Sequence, residues 1–242
     1  MEPGPMTAAA ALAALREEDP WFSYPDAVDL LGSLDAGEVP GLVAALADPS
    51  RKIRAAVARA LGAYRLPAAR AALDAALADP APDVRRAALG ALSTWADPGV
   101  ISTLCHVLAA DRDAYTRMAA VQGLAEQPDA AAGHALADLL LAGNESDPRV
   151  LEAAAGALPG FGSAVALAPL IHVLAHPDAA IRQQAVEGLA QLGDAAAAAP
   201  LQDYAAHEED AYLAEVAATV AAALAGRDPP EDRAPGGRPP GL

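Results

Sequence analysis

Few side chains in this chain of 242 residues are of the types that catalyse reactions or hold metals, since there are only five His and one Cys. Cys105 lies in a Leu-rich segment where no His and acid are placed to activate it, so we expect a small core residue rather than a nucleophile. His106 and His172 occupy equivalent positions in helical segments about 20 Å apart, which is too far for a shared metal. The sequence therefore predicts that the protein is not an enzyme and holds no metal or cofactor.

The charged residues that recur with a fixed spacing are an Asp and, six residues later, an Arg. The pairs are Asp48 with Arg54, Asp79 with Arg85, and Asp111 with Arg117. The residue before each Arg is an anchor position, which recurs along the chain at intervals of 31, 32, 34, 31 and 32 residues. The six anchors are Ile53, Val84, Thr116, Val150, Ile181 and Leu213. Such regular self-similarity indicates an array of structural repeats.

The pattern within each repeat predicts two helices. Counted from the anchor, positions +3, +4, +7 and +8 carry small or apolar residues, which form one stripe of a helix. Two Leu residues four positions apart precede most anchors, and Asp-Pro or His-Pro usually separates the two segments, where Pro suits a first helical turn. Ala supplies 68 of the 242 residues, so we expect helices of neighbouring repeats to approach one another closely.

The repeats resemble the HEAT repeat family, in particular the short bacterial repeats that are also found in phycobilin lyase subunits. The motifs that match best are Ala168-Pro169-Leu170, His176-Pro177-Asp178, Ile181-Arg182 and Leu189-Ala190. The resemblance covers roughly residues 37–225. It implies an all-α fold: a right-handed α-solenoid of about six to seven helix pairs, whose second helices line a concave face and whose Asp and Arg side chains form a ladder between neighbours. The fourth repeat departs from the ladder with Glu145 and Leu151, so we expect a weak joint there.

The ends of the chain differ in composition from the repeats. We expect residues 1–6 to be disordered, residues 7–225 to form a single solenoid, and the Pro- and Gly-rich residues 226–242 to be disordered. Within the solenoid, residues 7–36 form a divergent capping repeat, because terminal repeats shield the open end of the core. The aromatic residues Trp21, Phe22 and Tyr24 either complete this cap or form a patch that anchors a partner.

Charge is distributed unevenly along the chain, which carries 16 basic and 32 acidic residues and a net charge of -16. Residues 51–86 hold eight basic residues against three acids, whereas residues 183–226 hold seven acids and no Lys or Arg. The net charge argues against nucleic acid as the main partner, because that affinity depends on cations that neutralise phosphates. The first residues lack the basic start of a signal peptide, and no apolar run reaches about 18 residues, so we expect no membrane partner and a cytoplasmic location.

The second helices are predicted to expose positions +2, +5 and +6 in a groove lined partly by small and apolar residues. This groove is predicted to bind a protein or peptide, as expected for an interaction scaffold or adaptor. Its candidate residues are Arg59, Arg86, Leu89, Met118, Val121, Gln122, Glu152, Gln183, Val186 and Glu187. Arg59 and Arg86 are expected to mark the place where an acidic peptide docks.

Two other functions stay open at this point. Resemblance to phycobilin lyase subunits implies a tetrapyrrole-handling enzyme subunit, and the basic residues within 51–86 allow a nucleic-acid binder. Two enzymes of similar architecture are disfavoured. Deoxyhypusine hydroxylases hold iron with several His-Glu pairs, whereas this chain has only His207-Glu208. A DNA glycosylase of this type would need aromatic residues in a basic groove.

Overall fold

The computed structural model describes residues 6–17, 24–95 and 97–226, and every regular element in these residues is a helix. The chain divides into two compact units, Met1–Gly123 and Leu124–Leu242. The predicted disordered ends fall largely outside the described residues. Trp21 and Phe22 also lie outside them, as does the side chain of Tyr24, so the predicted roles of these aromatics stay predictions.

The helices follow one another in pairs joined by short turns. Those that begin in the first unit are α1 Ala8–Glu17, α2 Tyr24–Gly32, α3 Val39–Ala45, α4 Arg51–Leu61, α5 Pro67–Ala76, α6 Pro82–Ser93, α7 Pro98–Ala110 and α8 Ala114–Ala125. Those of the second unit are α9 Ala130–Ala142, α10 Pro148–Ala157, α11 Ser163–Val173, α12 Ala179–Leu192, α13 Ala198–His207 and α14 Ala211–Ala225. Short 3-10 turns lie at Ala36–Glu38, Leu158–Phe161 and Ala195–Ala197.

Asp and Pro set the starts of many helices. The Asp129 carboxylate accepts a hydrogen bond from the Ala131 N–H at the start of α9, and the Asp178 carboxylate accepts one from the Ala180 N–H at the start of α12. These bonds satisfy N–H groups that have no partner within the helix. Pro occupies the first helical position of α5, α6, α7 and α10, where its missing N–H costs nothing.

Second helices pack side by side in each unit. In the first unit, α4 contacts α2 and α6 on either side and also contacts the first helices α3 and α5. In the second unit, α12 contacts α10 and α14 and also packs on α11. This stacking of helix pairs is an all-α solenoid, as predicted, and the described residues contain seven such pairs.

Small residues allow the second helices of the first unit to approach closely. Ala56 and Ala60 of α4 are almost fully buried, as are Ala88 and Ala91 of α6. A Cβ atom added to Gly62, at the end of α4, would lie only 2.8 Å from the Ala91 Cβ atom, so no larger residue fits without a shift. The predicted role of the alanines at positions +3, +4 and +7 is therefore confirmed for these helices.

In two repeats of the first unit, an aromatic side chain at position +11 bonds the turn to the preceding repeat. The Tyr64 hydroxyl donates to the Leu31 carbonyl at 2.6 Å and also lies 3.0 Å from the Leu34 carbonyl oxygen. Trp95 stands at the equivalent position of the next repeat, and its indole N–H donates to the Gly62 carbonyl at 3.0 Å. Both aromatic residues are buried, so these bonds satisfy helix-end carbonyls that are shielded from water.

Replacing Tyr64 by Phe is expected to lower the free energy of unfolding by about 1–3 kcal/mol, because it leaves buried carbonyl oxygens without their donor. Tyr212 is 69% exposed, and the matched change Tyr212→Phe is expected to cost less than about 0.5 kcal/mol. Urea denaturation followed by circular dichroism measures both. Equal losses for the two variants would contradict a structural role for the Tyr64 hydroxyl.

Candidate interaction surface

A ladder of Arg–carboxylate pairs joins consecutive repeats within each unit and thereby removes several arginines from the surface. Arg54 places its Nε and Nη2 atoms 2.8 and 3.0 Å from the carboxylate of Asp79 in the following repeat. Its Nη1 atom donates to the Asp48 carbonyl of its own repeat at 2.8 Å. Arg85 repeats this arrangement with Asp111, at 2.7 and 2.8 Å. The predicted ladder is confirmed, with each side-chain pair joining an Arg to the next repeat rather than to the Asp six residues before it.

The side chains of the ladder pairs are largely buried. A buried charge without an opposite partner destabilises the fold, so each Arg depends on its carboxylate. Side chains of Arg85 and Asp111 are only 6% and 8% exposed. Hydrogen bonds from Arg54 lower the pKa of the Asp79 carboxyl in spite of its burial. Hydrogen bonds to Asp111 raise the pKa of Arg85. Because both guanidinium groups are occupied by these carboxylates, neither Arg54 nor Arg85 is available to a ligand.

The second unit contains a rung of the same kind with Glu in place of Asp. Arg182 donates to both oxygens of Glu208, from Nε at 2.7 Å and from Nη2 at 2.9 Å, and its Nη1 atom donates to the His176 carbonyl. The Tyr204 hydroxyl also bonds Glu208. The hydrogen bonds from Arg182, reinforced by Tyr204, lower the pKa of Glu208 to about 2, whereas burial above all raises the pKa of Tyr204 to about 12.

Three residues predicted to face the groove are instead part of the core. Leu89, Val121 and Val186 all stand at position +5 and are 0%, 1% and 1% exposed. The prediction that they are exposed is wrong. A second helix packs against neighbouring helices on several sides, so it buries more of its surface than the single apolar stripe seen in the sequence. For example, α6 packs against α4, α5 and α7. A helix covered on several sides buries a wider arc than the stripe of one amphipathic face.

Positions −1, +2 and +6 form the surface that the second helices do expose. Of the predicted groove residues, Arg59, Gln122, Glu152, Gln183 and Glu187 are exposed, and Arg86 and Met118 are half-buried. The sequence prediction missed position −1, which carries residues such as Lys52 and Tyr115, both exposed. Positions three and four residues apart share one helical face, so the periodicity that indicates positions +2 and +6 also indicates position −1.

Between α4 and α6 this surface forms a cleft of about 290 Å³, here called the basic cleft. It brings together the predicted residues Arg59 and Arg86. The full lining is Arg51, Lys52, Ala55, Arg59, Asp83, Arg86 and Ala87. Four cations therefore surround a floor of two alanines with a single carboxylate in the lining.

Arg86 is held in place on the wall of the basic cleft. Its Nη1 atom lies 3.2 Å from the Asp113 carboxylate, and its Nη2 atom bonds Asp83. The guanidinium also lies over the Tyr115 ring, 5.9 Å from the ring centroid. These contacts fix the orientation of Arg86 and neutralise part of its charge.

The corresponding surface of the second unit is polar and acidic. Gln183 donates to one oxygen of Glu187 at 2.8 Å, and Gln184 donates to the other at 3.0 Å. Glu187 is therefore oriented by two side-chain amides on the exposed side of α12. On α14, Tyr212 and Glu215 are exposed at positions −1 and +2.

A larger cavity, of about 670 Å³, lies beside α11, α12 and α13 in the second unit. Its lining includes His176, Arg182, Tyr204, His207 and Glu208. Arg182, Tyr204 and Glu208 already bond one another in the ladder. His176 accepts a hydrogen bond from the Asp178 N–H at 3.1 Å, in the place of an Asp carboxylate, and the His207 ring bonds the carbonyl of Asp203, one turn earlier in α13. His176, Arg182, Tyr204 and Glu208 of this cavity thus serve the fold.

Cys105 lines neither the basic cleft nor the larger cavity. Cys105 is half-buried, and burial raises the pKa of its thiol, which disfavours the reactive thiolate. Across residues 6–17, 24–95 and 97–226, no group of three or more His, Cys, Asp or Glu side chains is arranged to hold a metal ion. No helix in these same ranges has both the length and the apolar content that a membrane span requires.

Comparisons with known proteins address the repeats directly. The family model described as HEAT repeats matches residues 39–125 and 134–225. No curated protein sequence matches the chain significantly.

Among solved structures, a designed armadillo repeat protein in complex with the peptide (KR)4 is 19% identical, with a TM-score of 0.49 over 76% of this chain and 99% of its own. The CpcE and CpcF complex of phycocyanin lyase from Nostoc sp. PCC7120 is 24% identical, with a TM-score of 0.46 over 91% and 88% of the two chains. Human deoxyhypusine hydroxylase in complex with glycerol is 20% identical, with a TM-score of 0.44 over 90% and 83%. Similarity at this level transfers no ligand or activity to this chain.

Replacing Arg85 by Ala is expected to lower the free energy of unfolding by about 3–5 kcal/mol, because Asp111 is left as an unpaired buried charge. Arg112 is exposed, and Arg112→Ala is expected to cost less than about 0.5 kcal/mol. Denaturant titrations of both variants, of Asp111→Ala and of the pair Arg85→Ala with Asp111→Ala measure these costs. Removing both partners should cost clearly less than the sum of the single changes, and simple additivity would contradict a coupled pair.

Acidification is expected to remove the stability that Glu208 contributes. Its pKa is about 2 in the folded protein and ordinarily 4.5, so its contribution is complete above about pH 4.5 and is lost as the pH falls towards 2. Glu208→Gln should therefore flatten the dependence of the denaturation midpoint on pH in this window. The exposed neighbour Glu209 supplies the control, since Glu209→Gln should leave the wild-type slope unchanged. Identical slopes for the two variants would contradict the assignment.

Proposed function

Because this chain belongs to the HEAT repeat family, we propose that it is a non-enzymatic module that binds a protein or peptide partner through the exposed face of its second helices. The proposal rests on a difference among the charged residues: some form ion pairs that hold the repeats together, and others do not. Arg54, Arg85 and Arg182 are paired in the ladder, whereas Lys52 and Arg59 have no ion-pair partner in the part of the chain that the structure describes. Among the described residues, Lys52 and Arg59 therefore leave two cations without an ion-pair partner on the exposed face of α4.

The makeup of this face also supports binding rather than catalysis. Its side chains are mainly Arg, Lys, Gln, Glu and Tyr, with a half-buried Met118. Such residues provide hydrogen bonds, ion pairs and adaptable apolar contacts, which are the contacts that a peptide or a helix of a partner requires. Cys105 has a raised thiol pKa and lies on a first helix, so it offers no activated nucleophile to this surface.

Capture of partners from a lysate of the source cells tests the proposal. The surface variant combines Arg59→Glu with Glu187→Arg, which alters one exposed side chain of the face in each unit and leaves the net charge unchanged. Proteins retained by the wild-type chain should be lost, and mass spectrometry identifies them.

The matched control combines Arg112→Glu with Asp138→Arg, which also preserves net charge but changes exposed residues outside this face. This control should retain the same proteins as the wild type. Equal retention by both variants, or equal loss, would contradict binding through the second helices. Circular dichroism verifies that each variant remains folded.

A further inference from the structure

We propose that the basic cleft between α4 and α6 is the docking site for an acidic segment of a partner protein, with side-chain carboxylates of that segment paired to Lys52 and Arg59. The inference deepens the proposed function, on which it rests, by naming the chemistry of the partner. The cleft has a volume of about 290 Å³, which suits a few side chains of a peptide rather than a whole cofactor.

Spacing of the two free cations defines what the partner must present. Lys52 and Arg59 are seven residues apart on α4, which places them on one face about 10 Å apart along the helix axis. The Arg59 guanidinium extends towards α6, where its Nη2 atom would lie 3.8 Å from a Cβ atom on Gly90. A partner helix with acids seven residues apart matches this separation, as does a polyproline II segment with acids three residues apart, which lie on one face about 9 Å apart.

The floor and wall of the basic cleft provide the remaining contacts. Ala55 and Ala87 form a floor without long side chains, so a peptide backbone can approach the helices closely. On the wall, Arg86 is already oriented by Asp83, Asp113 and the ring of Tyr115. Because this guanidinium is held before binding, little side-chain entropy is lost when it donates a further hydrogen bond to the partner.

Two features favour an acidic peptide over nucleic acid. Asp83 and Asp113 stand among the cations, so a continuous phosphate backbone would meet carboxylates at the same surface. The chain as a whole has a net charge of -16, which repels a long polyanion, whereas a short acidic segment meets mainly the local field of Lys52 and Arg59.

Fluorescence anisotropy with two labelled peptides tests the proposal on the full chain at about 50 mM salt. One is a helical Ala- and Gln-rich peptide with Glu at every seventh position and at the positions three residues later, and the other has Lys in place of each Glu. The Glu peptide should bind and the Lys peptide should not. Lys52→Glu with Arg59→Glu should weaken binding of the Glu peptide at least roughly tenfold.

The control pair, Arg65→Glu with Arg112→Glu, changes the net charge of the same unit equally but lies outside the basic cleft. It should change the affinity by less than about threefold, because exposed charges outside the site act only through a screened field. Equal loss for both pairs would overturn the site. Displacement of the Glu peptide by a single-stranded oligonucleotide of the same charge, at lower concentration than unlabelled peptide, would overturn the choice of partner.

The two proposals fail in different ways. If the Glu peptide does not bind but Arg59→Glu with Glu187→Arg still abolishes capture of cellular partners, the acidic-segment assignment is wrong and the interaction function stands. If neither the peptide nor any cellular protein depends on these residues, the proposed function fails as well.

Discussion

The constraint on which the rest of the structure depends is that a second helix has neighbours on several sides. In the first unit α4 has α2 and α6 beside it and contacts both α3 and α5. Helices can be surrounded in this way only if their contact positions carry small residues, as Ala56, Ala60 and Gly62 do. What remains exposed is a narrow strip at positions −1, +2 and +6, and any partner of the second helices must bind there.

Polar ties between repeats complement this apolar packing. Arg54 and Arg85 each bind the acid of the next repeat and the backbone carbonyl of their own, so one side chain fixes both the turn and its neighbour. Tyr64 and Trp95 supply a second tie at position +11. Because a buried guanidinium without its carboxylate is costly, these residues are committed to the fold and leave the exposed strip to define recognition.

The exposed strips of the two units differ in charge although they share one register. Around α4 and α6 the strip carries Lys52, Arg59 and Arg86, whereas on α12 and α14 it carries Glu187 and Glu215. A repeat array can vary exposed positions of this strip, such as Lys52 and Glu187, with little change in packing, because their side chains lie outside the core. The same architecture therefore allows each unit to offer a different chemistry to a partner.

The sequence by itself determined the helix pairs and the repeat length, because 3.6-residue periodicity and Pro at helix starts are local properties of the chain. The Asp–Arg ladder was expected from the resemblance to HEAT repeats, and the tertiary structure decided its partners, since Arg54 and Arg85 bond acids of the following repeat. Exposure of Arg59, Gln122, Glu152, Gln183 and Glu187 also followed from the helical register. Only the tertiary structure showed that Leu89, Val121 and Val186 belong to the core, since their burial depends on neighbouring helices rather than on their own helix. Likewise, the cleft between α4 and α6 exists only because Arg51, Lys52 and Arg59 of one helix lie beside Asp83 and Arg86 of the next. The separation of these residues along the chain does not reveal that contact. It arises because two helices rich in small residues pack closely.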